Sequence, residues 1–319
     1  MLKTFRTNIP VQIAIILVVA ALMWMKSFVH PLSAATECGG ELYFWITGSM
    51  KPAVATIVAF ILVLAEGVLF NSILYRHKMI TQSSLLPMLF YVIAMSVGHP
   101  TLSPVIMGSL FLLIGIDQLL LTSTLLSVGL DKVFGASACI ALSTLFCPVM
   151  VVFVIPLVAR MFNYSLYSWR DNTMLVLGFL SPFIILETYY FVCDELFYRN
   201  YLLLYNITDF HLHVGGNFMQ WAVSIVFLVM IVIGMGTAIG GSQNRSINFN
   251  KNITTLLLFT LGSIALSIYT SIIPVATQCY AIPFACCSTF LFIEPNRKEL
   301  VPNAIFVLAV LLFVVFNLI

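Results

Sequence analysis

Ionisable side chains are scarce in this chain, at 8% charged residues, so those with a spacing suited to chemistry stand out. Glu37 and Glu41 form an E-x-x-x-E pair in the stretch HPLSAATECGGELYFW. Glu187, Tyr189 and Tyr190 precede Arg199 in LETYYFVCDELFYRN. Aromatic rings stack on sugars, and a guanidinium is the planar fork that suits a phosphate. The plainer reading of that group is an aromatic belt with a surface ion pair. His211 and His213 lie in DFHLHVGG, where an extended backbone points both imidazoles the same way and can set two nitrogens on one metal ion. The plainer reading there is a turn, since Gly215 and Gly216 let the chain reverse. Glu66 in VLAEGVLFN and Asp117 in LLIGIDQLLLT are acids inside apolar runs. A carboxylate at mid-bilayer costs about 2.5–3.5 kcal/mol on insertion scales, so it faces protein or water. That suits a proton or substrate path, or equally a hydrogen-bonded helix–helix contact with Asn71, Gln118 or Thr122. No Lys or Arg lies at a span centre to pair with these two, which favours neutral carboxyls.

The elements that hold these residues are apolar helices. The chain is 61% hydrophobic over 319 residues, with a mean hydropathy of +1.08. Soluble domains carry about 25% charged residues, so an ordinary soluble domain is excluded. The apolar runs do not alternate as barrel strands do, and in lipid every backbone amide needs an internal partner, so the spans are helical. The net charge of +2 gives no reason to expect nucleic acid. The expected architecture is all-α, a single polytopic domain over residues 1–319 with about 10–11 membrane segments. They fall at about 9–28, 53–75, 83–98, 104–127, 134–147, 148–162, 173–192, 217–240, 253–272, 277–293 and 302–318. The first, preceded by Lys3 and Arg6, is expected to be an uncleaved helix, because no small-residue cleavage site follows closely.

The segment 134–162 decides the topology. Read as a hairpin of two short helices broken at Cys147-Pro148, it leaves Lys3, Arg6, Arg76, Lys78, Lys132, Arg160, Arg170, Arg245, Lys251, Arg297 and Lys298 on one side and only Lys26, Lys51 and Arg199 on the other. Read as one span, it inverts everything after it and scatters the cations. Cytoplasmic loops collect Lys and Arg, so the hairpin is expected, with the N-terminus on the cytoplasmic side and the C-terminus on the outer side. Proline removes a backbone donor and clashes with the preceding turn, which makes the break natural. Glu37, Glu41, Glu187, Asp194, Glu195 and Asp209 then share the outer side with His30, His99, His211 and His213. Phe197, Tyr201, Leu204 and Tyr205 fall on one face of an interfacial helix. Cys38, Cys193 and Cys279 lie near outer ends of spans, where a disulfide is an open alternative.

Four stretches together carry a resemblance: LYRHKMITQSSLLPMLFYVIAMSVGHPTLSP, FGASACIALSTLFCPVMVVFVIPLVARM, YSWRDNTMLVLGFLSPFIILETYYF and AIPFACCSTFLFIEPNRKELVPNAIF. They resemble a family of bacterial polytopic inner-membrane proteins known as a domain of unknown function, a resemblance that implies a periplasmic outer side and so a periplasmic C-terminus. The hairpin is more distantly similar to the GT-C glycosyltransferases and O-antigen polymerases. That similarity implies handling of a polyprenyl-phosphate-linked sugar at the periplasmic face, with an acid in the first outer loop. Glu37 and Glu41 are the acids there, although they are not adjacent as in many GT-C enzymes, and the large outer domain of that class is missing. On this reading Glu37, Glu41 and Glu187 are the catalytic candidates, and Arg199, Tyr189 and Tyr190 hold substrate. The alternatives are a proton-coupled transporter built on Glu66 and Asp117, or a scaffold subunit binding other envelope proteins. No cofactor is specified.

Overall fold

In the computed structural model the described residues are 9–35, 39–80, 84–97, 100–122, 129–162, 169–194, 218–240, 247–269 and 278–293. The expected last span at 302–318 and the interfacial helix within 195–217 lie outside them. The described residues are helical, without a strand. In chain order the helices are α1 (Ile9–Val29), α2 (Glu41–Thr47), α3 (Pro52–Arg76), α4 (Leu86–Ser96), α5 (Pro104–Thr122) and α6 (Leu130–Phe146). A 3₁₀ helix, Pro148–Phe153, leads into α7 (Val154–Phe162), followed by α8 (Trp169–Val192), α9 (Phe218–Gly240), α10 (Ile247–Tyr269) and α11 (Ala281–Ile293). Residues 9–29, 52–76, 104–121 and 169–192 are long and apolar enough to cross a bilayer, with mean hydropathies of 2.1, 2.5, 1.9 and 1.7. The outward faces of 9–29, 52–76 and 169–192 are rich in exposed large apolar side chains such as Val18, Ile61, Ile185 and Val192. In water that surface would be untenable; in lipid it is the solvent-facing side. The chain is a polytopic helical membrane protein.

The hairpin is present. A Cβ placed on Gly108 of α5 would lie 2.7 Å from Met150 Sδ and 3.1 Å from the Ser143 carbonyl. A continuous helix would separate residues 143 and 150 by about 10 Å at 1.5 Å per residue. Both reach one level of α5 because the chain turns at Cys147, whose backbone is extended (φ −139°, ψ 99°). Pro148 opens the 3₁₀ helix, where its missing N–H leaves no donor stranded. The return limb runs against α10. Phe153 stacks on Phe259 at 5.5 Å, and buried Arg160 donates to the Lys251 carbonyl and to Asn252 Oδ1. Helix α6 is rich in small residues and packs most extensively against α5 and α8. Small residues let apolar helices approach closely where no water drives them together.

Helix α4 departs from expectation. The apolar run 83–98 contributes only eleven helical residues, all buried, between α1, α3 and α11. At about 16 Å it is too short to span. It meets protein on every side, which is where a short helix and its irregular flanks can keep their amides satisfied. Trp24 Nε1 donates to Ser96 Oγ at 2.8 Å and the Leu85 amide donates to Gln12 Oε1 at 2.9 Å, so α1 brackets α4 at both ends.

Among the described helical glycines the closest approach is at Gly178 of α8, where an added Cβ would lie 2.1 Å from Ser137 Oγ and 2.6 Å from the Phe134 carbonyl. Overpacking of this kind costs about 1–3 kcal/mol. Gly178→Leu is expected to lower the thermal midpoint of the detergent-purified protein by several degrees. Gly236→Leu, at a position with nothing within 4 Å, is the control and is expected to leave it unchanged.

Candidate functional site

One end of the bundle carries a cleft of about 850 Å³ built by three helices. Helix α2 supplies Glu41, Phe44 and Trp45; α6 supplies Leu142 and Leu145; the last turns of α8 supply Pro182, Ile185, Leu186, Tyr189 and Tyr190, with Cys193 just beyond. The α8 positions recur at three- and four-residue intervals, so they form a single face of the helix. Pro182 cannot donate to the Gly178 carbonyl one turn back. Ser181 Oγ donates to it instead, at 2.9 Å.

Helix α2 is only seven residues long and depends on tertiary ties. The Gly40 amide donates to the Phe146 carbonyl at 2.8 Å, one of the α6 carbonyls that have no partner within their own helix. The chain passes so close that a Cβ on Gly40 would sit 2.1 Å from the Leu145 carbonyl oxygen. Tyr43 OH donates to the Leu102 carbonyl at 2.9 Å. Burial pushes this phenol well above its ordinary pKa, against a smaller opposing effect from Thr47, so it remains a donor. With its back face fixed, α2 turns Trp45 outward. The indole packs on Tyr189 with ring centroids 5.6 Å apart, and Tyr189 packs on Tyr190 at 5.7 Å.

Glu41 opens α2, where a negative charge suits the helix N-terminus. Its Oε2 is shut off from solvent and has no hydrogen-bond donor among the described residues. The structure thus brings together Glu41, Tyr189 and Tyr190 of the expected site. It does not add Glu187, which is partly buried but falls off the α8 face that lines the cleft. Glu37, Arg199, His211 and His213 lie outside the described residues. No cluster of metal-ligating side chains occurs among the described ones. Cys193 carries a free thiol, and Cys38 is outside the described set. Trp45 is the part of the site that spacing in the sequence did not reveal.

The acids within the apolar runs have separate settings. Glu66 is fully buried and accepts from Tyr91 OH and Ser109 Oγ, each at 2.9 Å. Asp117 corrects the expectation of an unpaired acid near mid-depth. It lies toward the far end of α5, where Arg76 Nη1 approaches Oδ2 at 2.6 Å and His77 Nε2 approaches Oδ1 at 2.9 Å. An ionised carboxylate only accepts, so His77 donates from Nε2. Spacing along each helix alone could not reveal this, since Arg76 ends α3 and reaches across to α5. Ser109 and Asp117 are two helical turns apart, about 12 Å, so Glu66 and Asp117 do not share a site.

Comparisons with family models, curated proteins and solved structures find no match to this chain.

The two hydroxyls on Glu66 make it a tie between α3, α4 and α5. Glu66→Gln keeps an acceptor and is expected to preserve the thermal midpoint to within a few degrees. Glu66→Leu strands a buried tyrosine hydroxyl, which costs about 1–3 kcal/mol, and is expected to lower it clearly. Equal midpoints for the two variants would contradict this role.

Proposed function

We propose that this is a bacterial inner-membrane protein of the cell envelope that handles a lipid-linked sugar of the polyprenyl-phosphate class in the Glu41 cleft. The observation that carries the reading is the cleft itself: a carboxylate and four aromatic side chains above an apolar wall of Leu142, Leu145, Pro182, Ile185 and Leu186. The rings offer stacking faces to a sugar and the carboxylate accepts from its hydroxyls. The apolar wall continues onto the lipid-facing side of α8, where Ile185 is 72% exposed, so a hydrocarbon chain has a path from the bilayer. The position of Glu41, in the first long loop and at the foot of a short interfacial helix, is what similarity to the GT-C enzymes implies for their acid. In a transfer, Glu41 would take the proton from an attacking hydroxyl. The new C–O bond would form at the anomeric carbon as the bond to the carrier phosphate breaks.

Charge supports the orientation. Among the described residues, Arg76, Lys78, Lys132, Arg160, Arg170 and Lys251 sit at or near the end of the bundle away from the cleft, and Lys26 and Lys51 at the cleft end. By the positive-inside tendency the cleft faces the periplasm, with the N-terminus cytoplasmic and the C-terminus periplasmic.

Native mass spectrometry of the protein released gently from its own membranes tests the reading. Wild type is expected to retain a polyprenyl-phosphate sugar, Glu41→Gln to lose it, Trp45→Ala to hold less, and Glu187→Gln to keep it. Bulk phospholipid alone on wild type, or undiminished sugar lipid on Glu41→Gln, would overturn the assignment.

A further inference from the structure

The lining of the cleft also bears on the chemistry of the head group it takes. Among the described lining residues, Glu41 is the only acidic or basic one; the others are apolar, aromatic, Gly, Ser and Cys. No Lys, Arg or His of the described set is on that wall. A phosphate pressed against it would meet a carboxylate and the electron-rich faces of Trp45, Tyr189 and Tyr190. Like charge at close range in a partly apolar site is unfavourable, and the faces of aromatic rings repel anions as they attract cations. The same arrangement has an unmet demand of the opposite sign. Glu41 lines the cleft, and its inner oxygen, Oε2, has no donor among the described residues to offset the charge of the carboxylate. A buried carboxylate is stable only when paired and hydrogen-bonded. Trp45, Tyr189 and Tyr190 line the same cleft, and a ring face attracts a cation placed within about 6 Å of its centroid.

We infer that the ligand of this cleft is a glycolipid whose sugar carries an ammonium group, an amino sugar, with that group paired to Glu41 and lying against the aromatic rings. A carrier phosphate then sits beyond the described wall, nearer the chain's exit along α8. The inference rests on the cleft being the site of a lipid-linked sugar and narrows which sugar it accepts. Charge complementarity favours an ammonium over a neutral hexose, because a hydroxyl satisfies one lone pair without neutralising the carboxylate. An ammonium supplies both charge and up to three N–H donors.

The test uses the full chain in nanodiscs and three single-chain probes: an alkyl 2-amino-2-deoxyglucoside, its N-acetyl derivative and the parent alkyl glucoside. Binding is read by tryptophan fluorescence and confirmed by native mass spectrometry. The amino glycoside is expected to bind about tenfold more tightly than either neutral probe, and Glu41→Gln to erase that preference. The comparison on unaltered protein needs no variant, so it stands even if Glu41→Gln folds poorly. Equal affinity for all three probes would overturn the amino-sugar inference and leave the sugar-lipid reading in place. Binding of none would overturn both. A preference that survives in folded Glu41→Gln would overturn the role given to Glu41.

Discussion

The hydrogen bond from the Gly40 amide to the Phe146 carbonyl is where the architecture and the cleft meet. Helix α6 must stop at Phe146, because Pro148 cannot continue it, and its last carbonyls point out of the helix with nothing of their own to bond. In a membrane that debt is met by whatever peptide lies nearest. Here the nearest peptide is the approach to α2, and only glycine at position 40 leaves room for it. The bond fixes the start of a seven-residue helix too short to be stable alone. It thereby sets Glu41 and Trp45 over the face that α8 presents. Loss of the Pro148 break would remove both the reversed limb and the anchor of the cleft.

Glu66, Asp117 and Glu41 illustrate three settings for a carboxyl group within or beside the bundle. Glu66 is surrounded by hydroxyl donors from two neighbouring helices. Asp117 is bridged to a guanidinium and an imidazole, with its side chain 14% exposed. Among the described residues, Glu41 has neither arrangement for its inner oxygen. A fully satisfied carboxyl contributes to packing and register; an incompletely satisfied one has binding capacity left. This contrast in satisfaction singles out Glu41, since all three residues looked alike as isolated acids in an apolar sequence.

Much of the architecture was legible because helical spans advertise themselves by apolar length and because Cys147-Pro148 marks the break by covalent geometry. The cation distribution agrees with that break: Arg76, Arg160 and Lys251 are found at one end. The length of α4 was not legible. Burial against protein and burial in lipid both select apolar residues, so an eleven-residue core helix within 83–98 reads like part of a span. Tyr189 and Tyr190 could be named from composition, and Glu41 from its loop. Trp45 could not be separated from an interfacial belt, because its role depends on the crossing of α2 and α8. The Arg76–Asp117 bridge was hidden for the same reason: two residues 41 positions apart meet only after α3 and α5 have packed.

The enclosure of α4 bears on how the protein is made. A segment of eleven helical residues shielded from lipid on every side has no stable resting place in a bilayer by itself, being too short to match the hydrocarbon thickness. It gains one only when α1 and α3 have formed the wall against which it lies and the much later α11 closes over it. The order of membrane insertion therefore cannot be a simple succession of independently stable hairpins. The middle of the protein stays provisional during synthesis until a helix encoded nearly two hundred residues downstream arrives. Tertiary assembly in the bilayer and completion of the chain are in this sense a single event.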